Sequence, residues 1–309
     1  MGTTVALVRS GFSESEINRS VSNAWNLISF SPKRNQVESV VIKANLCYYW
    51  KSDTGYTTDP RIIAGIIDCV RERYGADTQI QVVEADASAM RTKYAFPMLG
   101  YENLAKQKKV KLFNLSNDFL KKESVLVNGH EFTFEVSQSL LDCDLFINVP
   151  KLKLMRATRI TCALKNIFGC IASPNKFVYH SSLDRAIVGI NKILHPDLTI
   201  VDGLVALGRF PVKLGLIMAS IDPFSIDWIA SQIMGYRPSK VGFLKVAIKE
   251  KLGNPKGITT CGEDLAPFRK KFPRESFLFQ KWLWDVQFGL LKLYGKIVKD
   301  VIPPSLEGI

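Results

Sequence analysis

Apolar and polar positions change period repeatedly along this chain. Short, nearly unbroken apolar runs occur at residues 38–46 (ESVVIKANL), 80–86 (IQVVEAD), 110–115 (VKLFNL), 144–150 (DLFINVP), 198–203 (LTIVDG) and 214–223 (LGLIMASIDP). Their length and β-branched content predict buried parallel strands, covered on both faces. Between them, ESEINRSVSNAWNLI, PRIIAGIIDCVRERYG, ATRITCALKNIFGCI, SLDRAIVGINKIL and PFSIDWIASQIMG return an apolar residue every three or four positions, the period of a helix with one face in a core. Pro60 and Pro223 stand where first helical turns begin, and Gly75 and Gly235 come after last turns. The alternation predicts an α/β fold, an open and mostly parallel sheet with helices on both faces.

Two segments depart from it. SVLVNGHEFTFEV (124–136) carries Asn128-Gly129 between β-rich flanks, the signal of an antiparallel hairpin, with His130 a solvated hairpin residue. Within a carboxy-terminal extension (251–309) that succeeds an α/β domain (1–250), residues 277–302 place Phe279, Trp282, Val286, Leu290, Leu293 and Ile297 on one stripe of an amphipathic helix. Such a helix fits packing on its own domain, docking to a partner, or lying in a membrane interface.

Composition narrows the classes. The chain has 309 residues, 47 % of them apolar, enough for a large core. Its net charge of +12 points to an anionic partner, although many soluble proteins are basic only for solubility. Six cysteines show no CxxC pair or zinc spacing, and MGTTVA misses the myristoylation pattern at Ala6. With no signal-peptide pattern and no membrane-spanning run, a reducing, cytoplasmic setting is expected. KQKKVK (106–111) lacks a nucleic-acid module around it, so no nucleic acid is expected as a partner.

The chemistry lies at the strand ends. Lys43 and Asn45, Glu84 and Asp86, Lys151 and Lys153, Asp202, and Asp222 all fall there. In an open parallel sheet such positions share the carboxyl edge, where ligands bind. Taken singly, each also fits a cap or a solvated loop, Asp202 and Asp222 as capping or Asx-turn residues. Lys151, Lys153, Arg156, Arg159 and Lys165 crowd into fifteen residues, and no carboxylate occurs between Asp144 and Asp184. Like charges this dense repel unless an anion or water sits among them.

On a helix from about 157 to 171, Lys165 and Asn166 flank an apolar stripe. There a lysine either snorkels or joins Lys151 and Lys153 in an anion pocket. A crowded, desolvated lysine can serve as a general base or a nucleophilic amine. Asp202, Asp222 and Asp227 could hold Mg²⁺ or another divalent ion. GxGxxG, Walker A, GxSxG and HExxH sequences are all absent, and of three histidines His180 is the candidate imidazole.

In order and spacing, VVIKANL, TTDP, VPKLK, ALKNIFGCI, HPDLTIVDG and ASIDPFSIDWIASQIMG resemble the domain of unknown function 362 family from about residue 38 to 238. Its members occur alone or fused to ferredoxin-like iron–sulfur modules and share no single established reaction. The resemblance implies the α/β domain and points to Lys43, Asn45, Thr58, Asp59, Lys151, Lys153, Lys165, Asn166, Asp202, Asp222 and Asp227. Leu154 and Met155 stand where the family commonly has Thr-His, ALGRFPVKLG replaces a Gly-Pro loop, and ferredoxin cysteines are missing, so no iron–sulfur cluster is expected in this chain.

The expectation is an enzyme acting on an anionic small molecule, a carboxylate or phosphate, at the carboxyl edge. Lys43, Lys165, Asp202 and Asp222 are its catalytic candidates. Asn45, Thr58, Asp59, Lys151, Lys153, Asn166, His180 and Asp227 are its binding candidates. The alternatives are a non-enzymatic adaptor for an iron–sulfur partner and a peripheral membrane enzyme with a lipid-linked substrate.

Overall fold

A computed structural model describes residues 2–274 except 29, 33 and 35, together with positions 286 and 290. The helix expected over 277–302 lies outside the described stretch. Twelve strands are present among the described residues: β1 (Thr3–Arg9), β2 (Ser39–Lys43), β3 (Gln79–Glu84), β4 (Lys111–Asn114), β5 (Leu120–Val127), β6 (His130–Ser137), β7 (Leu145–Asn148), β8 (Lys151–Met155), β9 (Arg159–Thr161), β10 (Leu198–Leu207), β11 (Pro211–Ser220) and β12 (Ile258–Gly262).

The main sheet runs β12-β1-β11-β10-β7-β2-β3-β4, with β8 beside β10 and β9 beside β8. All neighbours along that path are parallel except β11, which is antiparallel to both β1 and β10. The predicted class holds: a mostly parallel sheet with helices around it, plus a hairpin. That hairpin, β5 and β6, forms a separate two-stranded sheet. Its turn holds Asn128 at φ 47° and Gly129 at φ 76°, the paired left-handed conformation that a two-residue hairpin turn needs.

The sheet separates two cores, because successive side chains of a strand point to opposite faces. Val40 and Ile42 of β2 pack with Ile17, Trp25, Ile62 and Ile66 from the helices Glu14–Leu27 and Pro60–Tyr74. Val41, between them, packs on the other side with Phe146, Ile187, Phe224 and Phe243, joining the helices Leu183–Ile193, Pro223–Ile233 and Gly242–Lys249.

Three features correct the expectation. The run at 214–223 is an antiparallel strand, because only residues 208–210 join β10 to β11. A parallel return needs a crossover of about a dozen residues or more. Ser220 therefore pairs with Thr199, the second residue of β10. That carries Asp222 to the amino edge of the parallel strands, away from the edge where it was expected. The helix expected from 157 to 171 is confined to Ala163–Phe168; the chain before it forms the β8–β9 hairpin, with Arg159 at φ 70°. Finally, β1 and β12 were not anticipated, and β12 carries the sheet past residue 250.

Candidate functional site

The carboxyl edge is shaped by a break in one strand. β7 and β8 lie end to end along β10, with Ile147 opposite Leu198 and Lys151 opposite Asp202. Pro150, lacking an N–H, interrupts them, and its carbonyl accepts the Asp202 N–H at 2.9 Å. Beyond the break, Leu152 and Leu154 face the core, while Lys151 and Lys153 face the edge.

There a cavity of about 430 Å³ opens among the strand ends, the loop after β2, the helix Ala163–Phe168 and the segment Lys176–Ser182. Lys43, Lys153, Lys165 and Lys176 line it against a single carboxylate, Glu84. That carboxylate is already used. Glu84 holds Lys43 in a buried ion pair at 2.5 Å and accepts the N–H groups of Leu46 at 2.8 Å and Ala85 at 3.0 Å. The pair braces the loop after β2 and forms part of the cavity wall. Gly169 leaves room for it: a Cβ there would sit 3.2 Å from the Lys43 ammonium and 2.9 Å from the Asn166 carbonyl.

The three remaining lysines have neutral partners among the described residues. Lys153 donates to Asn45 Oδ1 at 2.7 Å and to the Tyr56 carbonyl at 2.7 Å. Asn45 Nδ2 in turn donates to Asn166 Oδ1 (2.9 Å), Asn166 Nδ2 to Asn148 Oδ1 (2.8 Å), and Asn148 Nδ2 to the Ala163 carbonyl (3.1 Å). The ammonium fixes the orientation of Asn45, and each amide fixes the next, giving a polarised chain whose members reinforce one another. Burial, reinforced by the Lys151 charge, holds Lys153 below the ordinary lysine pKa.

The Lys165 ammonium lies 5.6 Å from the centre of the Phe168 ring, a weak cation–π contact. Burial and the neighbouring Lys153 lower its pKa to about 8. The buried Lys176 donates to the Asp86 carbonyl, and burial lowers it likewise to about 8. His180 stacks on Phe177 with ring centres 5.1 Å apart, and its Nδ1 lies 3.2 Å from the Lys176 carbonyl. Burial and then Lys165 disfavour its protonated form.

Below the helix that carries Lys165, the buried Asp227 accepts the N–H groups of Ala163 at 2.7 Å and Leu164 at 2.9 Å. Burial raises its pKa to about 7 against those two bonds. Asp227 therefore positions the helix from beneath and does not reach the cavity lining.

Of the residues singled out in the sequence, the cavity gathers Lys43, Asn45, Lys153, Lys165, Asn166 and His180. A sealed brace beside it takes four others. Lys151 and Asp202 form a fully buried pair at 2.8 Å. Asp202 also accepts the N–H groups of Asp59 at 2.7 Å and Leu204 at 3.0 Å. Thr58 Oγ1 accepts the Asn45 N–H and donates to the Val149 carbonyl. Asp59 caps the helix Pro60–Tyr74 and is clamped by Arg61 at 2.7 and 3.0 Å, which against its burial holds the carboxyl below the usual range.

Asp222 stands apart, capping Pro223–Ile233 through the N–H groups of Phe224 and Ser225, in a different pocket beside His195. Asp202, Asp222 and Asp227 do not form a ligand set: among the described residues no group of three or more His, Cys, Asp or Glu side chains is placed to hold a metal ion. Lys176 was missed; its one sequence signal is a place in the same carboxylate-free span as Lys165. Cys47 and Tyr48, which also line the cavity, carried none.

Among the described residues no helix is long and apolar enough to cross a membrane. A curated thylakoid-associated protein of Synechocystis sp. is 30 % identical over 183 residues, covering 53 % of this chain and 54 % of that protein, so the match spans about half of the relative's length. Two solved structures overlap at low similarity. The lactate racemase apoprotein of Thermoanaerobacterium thermosaccharolyticum has a TM-score of 0.45 at 11 % identity, over 70 % of this chain and 53 % of that one. A Thermotoga maritima protein from a structural genomics consortium has 0.42 at 12 %, over 78 % and 59 %. The profile of one family, described as a domain of unknown function (DUF362), matches residues 40–232, which include every strand end that builds the cavity, and the chain belongs to that family.

Proposed function

We propose that this protein is an enzyme that binds an anionic small molecule, a carboxylate or a phosphate, in the cavity at the carboxyl edge. The observation that carries the reading is the cavity's charge: four lysines and one carboxylate, with that carboxylate spent on Lys43. Lys153, Lys165 and Lys176 touch carbonyl, amide or aromatic groups, and Glu84, already paired with Lys43, offsets only part of their combined field. In a partly desolvated space such a field favours an anion strongly. Lys165 and His180, both biased toward their neutral forms, are the groups suited to accept a proton from the bound molecule. Asp202 has no part in that step, because Lys151 and two N–H groups consume it.

Native mass spectrometry of the gently purified full chain, with subsequent thermal-shift screening against phosphate esters and mono- and dicarboxylates, tests the reading. A copurified anion, or stabilisation by one class that disappears in Lys153→Gln, is expected. An anion-free protein that no compound of either class stabilises would refute it.

A second reading has its own observation. Tyr48, which lines the cavity, and Trp50 and Tyr56 are exposed in the loop after β2, and Trp50 stacks on Tyr56 with centres 5.9 Å apart. Amphipathic rings of this kind suit the membrane–water boundary, and the related protein is thylakoid-associated by name. A lipid-linked anion would then enter from the bilayer. Flotation with anionic vesicles, compared with Trp50→Ser, tests it; failure to float at low salt removes it.

A further inference from the structure

The four cavity lysines differ in what holds their protons. Lys43 is held by Glu84, Lys153 by an amide oxygen and a carbonyl, and Lys176 by a carbonyl. Lys165 alone of these four has no hydrogen-bond acceptor or carboxylate partner among the described residues; its contact is the face of Phe168. Lys153 from β8 lies close enough to repel its charge and His180 faces it from the segment after the helix, while Cys47 from the loop after β2 acts in the opposite direction and is outweighed by burial and Lys153. An amine in this position gives up its proton at little cost and presents a lone pair to the cavity.

We propose that Lys165 forms a reversible Schiff base with a small carbonyl compound that also carries an anionic group, a carboxylate or phosphate held by Lys153 and Lys176. The inference rests on the anion-site reading and narrows it to a substrate class. The neutral amine adds to the carbonyl carbon: the N–C bond forms, the C=O π pair moves to oxygen, and a proton passes from nitrogen to oxygen to give a carbinolamine. Loss of the hydroxyl together with the second amine proton, as water, leaves the imine. One further proton, from solvent or from a neighbouring ammonium, makes the iminium, and hydrolysis reverses the sequence. No oxidant or reductant is needed. The iminium withdraws electrons from the adjacent carbon, which is how an amine without a metal prepares a carbon–hydrogen or carbon–carbon bond for cleavage.

Geometry supports Lys165 over its neighbours. Lys153 and Lys176 are buried and tied to fixed oxygens, which favour their charged forms and suit them to hold an anion. The Lys165 pKa of about 8 is matched by that of Lys176, so what singles out Lys165 is its lack of an acceptor; its neutral fraction is minor at neutral pH and grows as pH rises through about 8.

The test is reductive trapping on the full chain. The protein is incubated with pyruvate, which carries a carboxylate, or with pyridoxal 5′-phosphate, which carries a phosphate, then reduced with borohydride and mapped by peptide mass spectrometry. The expected result is a single adduct on Lys165 with at least one probe, absent from Lys165→Arg. The more efficient probe identifies the anionic group. Adduct formation is expected to rise with pH through about 8 and then level off. Binding of inorganic phosphate and of acetate, measured by calorimetry on the same samples, separates the two claims. Trapping on Lys176 or on scattered surface lysines, or no trapping while either anion still binds, would overturn the Schiff base and leave the anion site standing. No trapping together with no binding of either anion would overturn both.

Discussion

Lys151 and Lys153 stand two residues apart on one strand, face the same side, and have opposite fates. Lys151 meets Asp202 in a fully buried pair, with the Asp59 N–H completing the carboxylate's shell. Lys153 meets an amide oxygen and a carbonyl. The first charge is paired where it stands and reaches the cavity only as a residual push on Lys153, so most of its energy goes into the fold. The second is solvated by dipoles yet keeps its field, so it is available to something that is not part of the chain. A lysine's role here depends on the charge of its partners and not on its depth, since both are buried.

The contrast can be broken most forcefully at the sealed pair. Asp202→Ala leaves the Lys151 ammonium buried without a counter-charge, and a loss of about 3–5 kcal/mol in unfolding free energy is expected by urea denaturation. Replacing both partners by apolar residues, as in Lys151→Met with Asp202→Leu, is expected to cost less than Asp202→Ala alone. An additive double variant would mean that the two side chains are not coupled in the folded state.

The carboxamide chain comes next. Asn166→Leu strips partners from Asn45 and Asn148 together, and about 1–3 kcal/mol should be lost in the same assay, because buried amides left unpaired retain their full desolvation cost. An unchanged denaturation midpoint would show the chain to be unimportant to the fold.

The open cluster should respond in the other direction. Lys165→Met removes a cation that has no anion, so stability should hold or rise while affinity for the anionic ligand falls about tenfold or more, roughly 1.4 kcal/mol. Calorimetry and thermal denaturation on one sample read both quantities; a destabilised protein with intact binding would invert the assignment.

Asp222→Ala, at the far edge, should cost about 1 kcal/mol as a lost helix cap and leave anion binding untouched. A binding defect in that variant would restore Asp222 to the site.

The smallest effect is in the pH profile. Lys165 and Lys176 have folded pKa values near 8, below the ordinary 10.5, so above about 8 the unfolded chain carries more protons than the folded one. Stability from these groups is then fully present above about 10.5, rises across the interval between, and is lost as pH falls through about 8. The rise should be shallower in Lys165→Met. Asp227 has the opposite sign: its folded value near 7 exceeds its ordinary 3.8, so its contribution is present at low pH and lost as pH rises through about 7.

Much of this arrangement was legible in the sequence because buried parallel strands announce themselves as short apolar runs, and the charged residues at their ends converge wherever the strands are parallel. β2, β3, β4 and β7 obey that rule, and Lys43, Asn45 and Lys153 fall in place with them. β11 does not, and the error at Asp222 is the direct consequence. An apolar run carries no strand direction; the short span between 203 and 214 did, since it is too brief for a crossover helix. KLKLM alternates with period two, the mark of a strand, although Lys151 and Lys153 were expected only at the end of the preceding strand. Lys176 is brought to Lys165 by the turn after Phe168, a tertiary event that no local pattern encodes. The same limit hid the sealing of Asp202: a strand-end aspartate looks alike whether it faces solvent or a lysine on another strand.

The central claim is that Lys153, Lys165 and Lys176 hold an anion in the carboxyl-edge cavity. The most direct measurement is calorimetric titration of the full chain with phosphate and carboxylate compounds at low and high salt, wild type beside a Lys153→Gln, Lys165→Gln double variant. Saturable binding that weakens with salt and vanishes in the double variant, with its unfolding transition unchanged, is the predicted result. Binding that survives the loss of both ammonium groups, or no binding by the wild type at low salt, would contradict it.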